Sequence, residues 1–292
     1  MMVREPVRAG MFYEAGPDAC RRHVESLLAD AKLPENLPDR LFGGVVPHAG
    51  WVYSGRIAAL TFKALFAARS PGTVVLFGAD HTGAVREGEV YASGAWRTPL
   101  GESPIDEDLA RRVLAAGPDC CRENPVAHEE EHSIEVQVPI LQTLAPKTKI
   151  LPIAIPPSDL AVEVGRIVAQ AIREADGDAA IVASTDLSHH GGHFPAPGGR
   201  GATGEKWARA NDHRMIALAE SMSASDVIQE SYERMNACGA GALSAAISAC
   251  ESLGARRGIC LEYTNSYVIT HQHRPQEPDD TTVGYASIVF SE

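Results

Sequence analysis

No stretch of this chain approaches the roughly 20 consecutive apolar residues that a membrane-spanning helix requires, which argues against a membrane protein. The opening run, Met1-Met2-Val3-Arg4-Glu5-Pro6, lacks the apolar core of a secretory signal, so a cytoplasmic protein is expected. Positive charge is short as well. Lys and Arg number 26 against 38 Asp and Glu, a formal net charge of −12, and so acidic a surface repels phosphate backbones. No nucleic-acid partner is expected. Cysteine is sparse: the six thiols, at 20, 120, 121, 238, 250 and 260, include no C-x-x-C pair. A chain of 292 residues needs no disulfide staples, so free thiols are expected, with Cys120 and Cys121 at a loop or helix end and Cys250 in the core. What remains, 45% hydrophobic and 22% charged residues, is ordinary globular composition.

Short apolar runs alternate with longer patterns of helical period. Residues 42–46, 73–77, 149–155 and 179–184 read as strands, and 259–269 and 282–290 as two last strands closing the sheet. Helical spacing covers 17–32, 54–68, 105–116, 131–144 (interrupted at Pro139), 160–175, 205–222, 225–235 and 239–253. Such alternation predicts an α/β fold, a mostly parallel central sheet flanked by helices. Residues 188–204, rich in Gly, Pro and His, read as a loop, and nothing resembles a linker, so one domain over 1–292 is expected.

Three histidines stand just past predicted strands: His48 after Val46, His81 after Phe77, His189 after Ser184. In an open parallel sheet the carboxyl ends of the strands share one edge, where ligands bind, so these residues converge despite their distance in sequence. Imidazoles joined by one anionic group make a metal site with open positions. The residues leave that group open between a carboxylate, Asp80, Glu131 or Asp186, and the thiolate of Cys238. Cys238 stands immediately before a predicted helix, whose dipole would lower its pKa. His132, at the start of an acidic turn, is a further candidate for the same crevice. His190 and His193 read as solvated loop residues.

Two familiar patterns appear without their structural context. His128-Glu129-Glu130-Glu131-His132 spells H-E-x-x-H, but three consecutive glutamates after Asn124-Pro125 read as a loop entering a helix, which places a zinc metalloprotease last among the readings. Gly199-Arg200-Gly201-Ala202-Thr203-Gly204-Glu205-Lys206 nearly spells a P-loop but lacks Lys-Ser/Thr after the last Gly and a preceding strand.

Taken in order, Arg8-Ala9-Gly10-Met11-Phe12-Tyr13, Pro47-His48-Ala49-Gly50, Gly78-Ala79-Asp80-His81, Glu131-His132-Ser133-Ile134-Glu135, Ser184-Thr185-Asp186-Leu187-Ser188-His189 and Ala237-Cys238-Gly239 resemble the Memo family over nearly the whole chain. Its microbial members are called AmmeMemoRadiSam system protein B, and its fold is similar to that of class III extradiol dioxygenases. The resemblance implies metal ligands at His48, His81 and Cys238, with Asp186, His189 and His132 in the surrounding pocket. It departs from the family at Ala79-Asp80, where Pro-Ser is frequent, and at Ala242; Asp80 would add charge beside the site or compete for the metal.

These residues lead to an expected mononuclear centre, iron(II) favoured and copper or zinc compatible with the donors. It would serve an oxidoreductase acting on a small organic substrate. His189 is expected as general base and then acid, Asp186 as its orienting partner, and His132 as hydrogen-bond donor to developing oxygen charge. Dioxygenase activity does not follow by analogy, because a thiolate in place of a carboxylate changes metal preference. The rival is a non-catalytic metal- or peptide-binding module that works with a radical-SAM partner protein.

Overall fold

Runs without alternating polar positions sit where both faces of a sheet are covered. The computed structural model describes residues 2–175, 177–273 and 280–292. In chain order its strands are β1 (Val3–Arg4), β2 (Leu41–Val46), β3 (Thr73–Gly78), β4 (Gly88–Val90), β5 (Ala95–Thr98), β6 (Gly101–Pro104), β7 (Cys121–Glu123), β8 (Lys149–Ala154), β9 (Ala179–Ser184), β10 (His189–His190), β11 (Arg257–Asn265) and β12 (Thr282–Ser291). β2, β3 and β9 are buried along their whole length and β8 from its second residue. These four form the parallel centre of one large sheet, ordered β10-β12-β2-β9-β3-β8-β4-β7, with β11 also paired to β12. The expected parallel arrangement thus holds at the centre. Both flanks turn antiparallel, at β12 against β2, β10 and β11 and at β4 against β8, so the whole sheet is mixed. A small sheet, β1-β5-β6, stands apart.

Helices cover both faces. The one at Ala240–Leu253 is apolar nearly all round and buried through Cys250, while Leu160–Glu174 buries a stripe of Ala, Val and Ile against the same core. Helix Trp51–Ala68 packs on the opposite face with Pro17–Asp30, whose Cys20, Val24 and Leu27 point inward. Among the described residues no helix is long and apolar enough to cross a membrane. All six thiols are free and Cys250 is buried as expected; Cys120 and Cys121, read only as a loop or helix end, are buried as well.

Local chemistry explains where the elements differ from their sequence patterns. Pro139 opens an α-helix, Val138–Leu144, instead of interrupting one; the ring occupies a first-turn position, where its missing N–H costs nothing. Residues 131–134 are therefore left as a turn, followed by a short 3-10 segment at Glu135–Gln137. Strand β11 stops at Asn265, whose side chain accepts the Val268 amide at 2.9 Å and caps a helix, Ser266–His273, where the β pattern ran on to Ile269.

The N-terminal segment is tied to the 128–135 turn by a buried cation. Arg4 lies over Trp96 at 4.3 Å and donates to Glu135 Oε2 at 2.8 Å, His128 O at 2.7 Å and Glu131 O at 2.6 Å. Glu135 also accepts the Val7 and Arg8 amides and the Tyr13 hydroxyl. Removing one partner of a buried pair strands the other charge, so Arg4→Ala is expected to lower unfolding free energy by roughly 3 kcal/mol. Urea titration measures it; a loss under about 1 kcal/mol would place the pair with surface ion pairs.

Candidate metal centre

Three turns bring their side chains to the carboxyl edge of the parallel strands. His48 follows β2 by two residues, His81 follows β3 by three, and Cys238 precedes helix Ala240–Leu253 beside the end of β9. Close backbone approach makes this possible. A Cβ on Gly239 would lie 2.4 Å from the Ser184 carbonyl oxygen, and one on Gly78 would lie 2.8 Å from the Ile134 side chain. The ligand-capable atoms of His48, His81 and Cys238 all lie within 4.8 Å of one another, a spacing one cation can bridge.

Hydrogen bonding fixes which nitrogen of each ring faces inward. Ser184 Oγ has one proton, and it donates that proton to Ser133 O at 2.7 Å. Toward His48 Nδ1, 3.1 Å away, it can therefore only accept, so Nδ1 carries hydrogen and the Nε2 lone pair faces Cys238 Sγ at 3.1 Å. His81 Nδ1 lies 3.0 Å from Glu131 Oε1. Burial opposes a charge on Glu131, but hydrogen bonds from the His81 ring and backbone and from the Ser133 amide hold its carboxyl well below the usual range. Its carboxylate accepts, leaving His81 Nε2 for the thiol side. A carboxylate or hydroxyl behind each imidazole is the arrangement that orients histidines for metal ligation.

The remaining residues line a cavity of about 720 Å³ above these three, with Phe12, Phe194, Pro195 and Met235 at its walls. His132 and His189 are both in it, and burial, reinforced by charge on His81, lowers each to about 4. Burial, with the neighbouring imidazoles, lowers His48 well below its ordinary value, so three neutral rings surround the site at pH 7. His81 differs: burial pulls it down, but hydrogen bonds to Cys238 and Glu131 outweigh that and raise it to about 10. His132 Nδ1 is buried, stands 3.7 Å from Glu131 Oε1 and has no hydrogen-bond partner among the described residues.

Several expectations change. Asp186 lines the cavity, but its carboxylate accepts the backbone amides of His48, at 2.7 Å, and Ala49, so it braces the His48 turn where orientation of His189 was expected. Asp80 adds no charge to the centre: its carboxylate folds back on the Ala84 and Val85 amides and the Thr82 hydroxyl. Cys238 gains no net lowering from the helix after it, because burial raises its thiol. His128 belongs to a 3-10 turn and sits against Tyr91 and Trp96, with Nε2 on Glu89 O, outside the cavity. The H-E-x-x-H match is therefore not a zinc site. His190 is buried where a solvated residue was expected, whereas His193 is exposed. Sequence reading weighed Glu131 as a ligand and missed it as the orienter of His81, and it missed Ser184 altogether.

The family model for Memo-like proteins matches residues 4–289. A MEMO1 family protein of Methanopyrus kandleri is 34% identical, and one of Thermococcus kodakarensis 36%, each over 99% of both chains. A solved structure of an uncharacterized Escherichia coli K12 protein matches in fold with a TM-score of 0.52 at 13% identity, over 87% of this chain and all of that one.

If Glu131 and Ser184 aim the two rings, Glu131→Gln and Ser184→Ala should each weaken cobalt(II) binding about 10-fold or more. Thermal unfolding run alongside separates loss of the site from loss of fold, and unchanged affinity in a folded variant would remove that residue from the role. The pH dependence has a definite sign. His81 and Cys238 must lose protons before they ligate, so affinity should climb from the neutral range toward pH about 10.

Proposed function

The chain belongs to the Memo family, and on that premise we propose that it is a metal-dependent oxidoreductase holding one mononuclear ion on His48, His81 and Cys238. The observation that carries this is the pair of imidazoles fixed with both Nε2 atoms toward one thiol. Iron(II) is favoured by the resemblance in fold to class III extradiol dioxygenases, and the soft sulfur also suits copper or zinc. Such an ion supplies redox or Lewis-acid chemistry when bound.

The chain's own residues do the rest. A small organic molecule enters the cavity between Phe12 and Phe194. His189, neutral at pH 7, takes the proton of its hydroxyl at a ring nitrogen; a low proton affinity makes the imidazolium a ready acid for the return step. His132, also neutral, offers an N–H to negative charge developing on oxygen. Asp186 keeps the His48 turn in place. The alternative function, a metal- or peptide-binding module that assists a radical-SAM partner, uses the same cavity without turnover.

Anaerobic purification, metal analysis and an oxygen electrode distinguish the two. On the enzymatic reading the loaded protein consumes oxygen with an organic substrate from a phenol panel. Cys238→Ser should lose most bound soft metal, whereas His189→Ala should keep its metal and lose at least 100-fold in turnover. Retained metal with no oxygen uptake across the panel would favour the binding module, and unchanged metal content in Cys238→Ser would remove the thiol from the ligand set.

A further inference from the structure

Resting on that reading of the cavity, we infer that its substrate is an uncharged aromatic molecule that enters hydroxyl first, and that the site selects against carboxylated or phosphorylated analogues. The walls provide the first reason. Phe12, Phe194, Pro195, Met235, Ala237 and Val283 are apolar, and among the described residues no Lys or Arg lines the cavity. Sites for carboxylate or phosphate groups supply guanidinium forks, ammonium groups or free amides at a helix start. Two amides at helix starts beside this cavity are already used: Gly239 N donates to Thr185 Oγ1, and Trp51 N to Phe12 O. Arg8, felt electrostatically by His132, stands outside the lining with its guanidinium turned to its neighbour's carbonyl. Arg4 is taken up by Glu135.

Charge balance gives the second reason. Glu131, 1% exposed, and Asp186, 3% exposed, are buried carboxylates within the turns that carry the ligands. A divalent cation with the Cys238 thiolate would leave one positive charge, which the Glu131 carboxylate alone cancels, and a charge on Asp186 would carry the balance negative. The hydroxyl proton can pass to His189 without leaving the cavity, so an uncharged molecule adds no charge to that sum. A second anionic group on the substrate would sit unpaired in a largely apolar cavity.

The rings give the third. Phe12 meets His132 edge-on at 5.0 Å and 74°, and Phe194 meets His189 at 4.9 Å and 53°. Each histidine assigned a proton or hydrogen bond thus has a phenylalanine against it. A flat ring presenting its hydroxyl there gains the offset or edge contacts aromatic pairs prefer, and about 720 Å³ accommodates one or two fused rings.

Calorimetric titration with 2-naphthol and 6-hydroxy-2-naphthoate, on metal-free and on zinc-loaded full-length protein, tests this. The neutral probe is expected to bind at least 10-fold more tightly than its carboxylate in both forms. Met235→Lys, which places a cation on the wall at a site 62% exposed, should narrow the ratio to within about 3-fold. Phe194→Ala should weaken both probes. Equal or tighter binding of the carboxylate to the unmodified protein, or no binding of either probe, overturns the inference. The metal-free arm keeps the two ideas separate: a protein that takes up no zinc yet prefers 2-naphthol refutes the metal centre alone, and one that binds zinc but prefers the carboxylate refutes the substrate class alone.

Discussion

The whole site depends on one buried carboxylate. Glu131 accepts the His81 amide and its Nδ1–H, and the amides of His132 and Ser133, while its own carbonyl receives Arg4. Burying an ionised group is unfavourable by several kcal/mol unless donors surround it, and here four N–H groups from two loops converge on two oxygens. The same bonds that satisfy the charge join the turn after β3 to the turn before helix Val138–Leu144. They also point an imidazole at the thiol. Electrostatic satisfaction and ligand orientation are a single arrangement.

A second chain of bonds carries the constraint across to the other ring. Ser133 Oγ accepts the Ala79 amide, Ser133 O accepts Ser184 Oγ–H, and Ser184 in turn faces His48. Gln137 donates to Pro47 O and Ser184 Oγ from the helix that follows. Four segments far apart in sequence, at 47–48, 78–81, 131–137 and 184–186, are locked to one another without a solvent-exposed link. A site built this way is rigid before any ligand arrives, which is what precise ligation and proton transfer require.

The strands at the centre of the sheet were legible because apolar runs of that length fit a doubly covered parallel sheet, and the positions of His48, His81 and His189 past their ends followed from topology alone. At the flanks β11 and β12 were legible as strands though not in their antiparallel direction, whereas β4, β7 and β10, two or three residues long, hold no period of their own. Pro139 and Asn265 misled for a related reason: a proline either breaks or begins a helix, and a β-rich run such as Tyr267-Val268-Ile269 yields to a single capping side chain. Among the site residues, those with ligand chemistry were visible as residue types. Ser184 was not, because a serine closing a strand announces nothing until its proton is traced to Ser133.

Cys238 shows why position on a helix is a poor guide to thiol chemistry. Standing before Ala240–Leu253 suggests a lowered pKa, yet the side chain lies among Asp186, Thr185 and His48, and burial raises it. A helix terminus contributes about 1 kcal/mol at the surface, less than the cost of desolvating a thiolate. Burial outweighs even the neighbouring His81 imidazolium, so the sulfur would ionise only when a metal cation replaces its proton. Coupling ionisation to ligation in this way keeps the thiol protonated, and so poorly nucleophilic, until the site is filled. A centre of this kind separates two demands that conflict elsewhere: the sulfur is soft and anionic as a ligand, and inert as a free side chain.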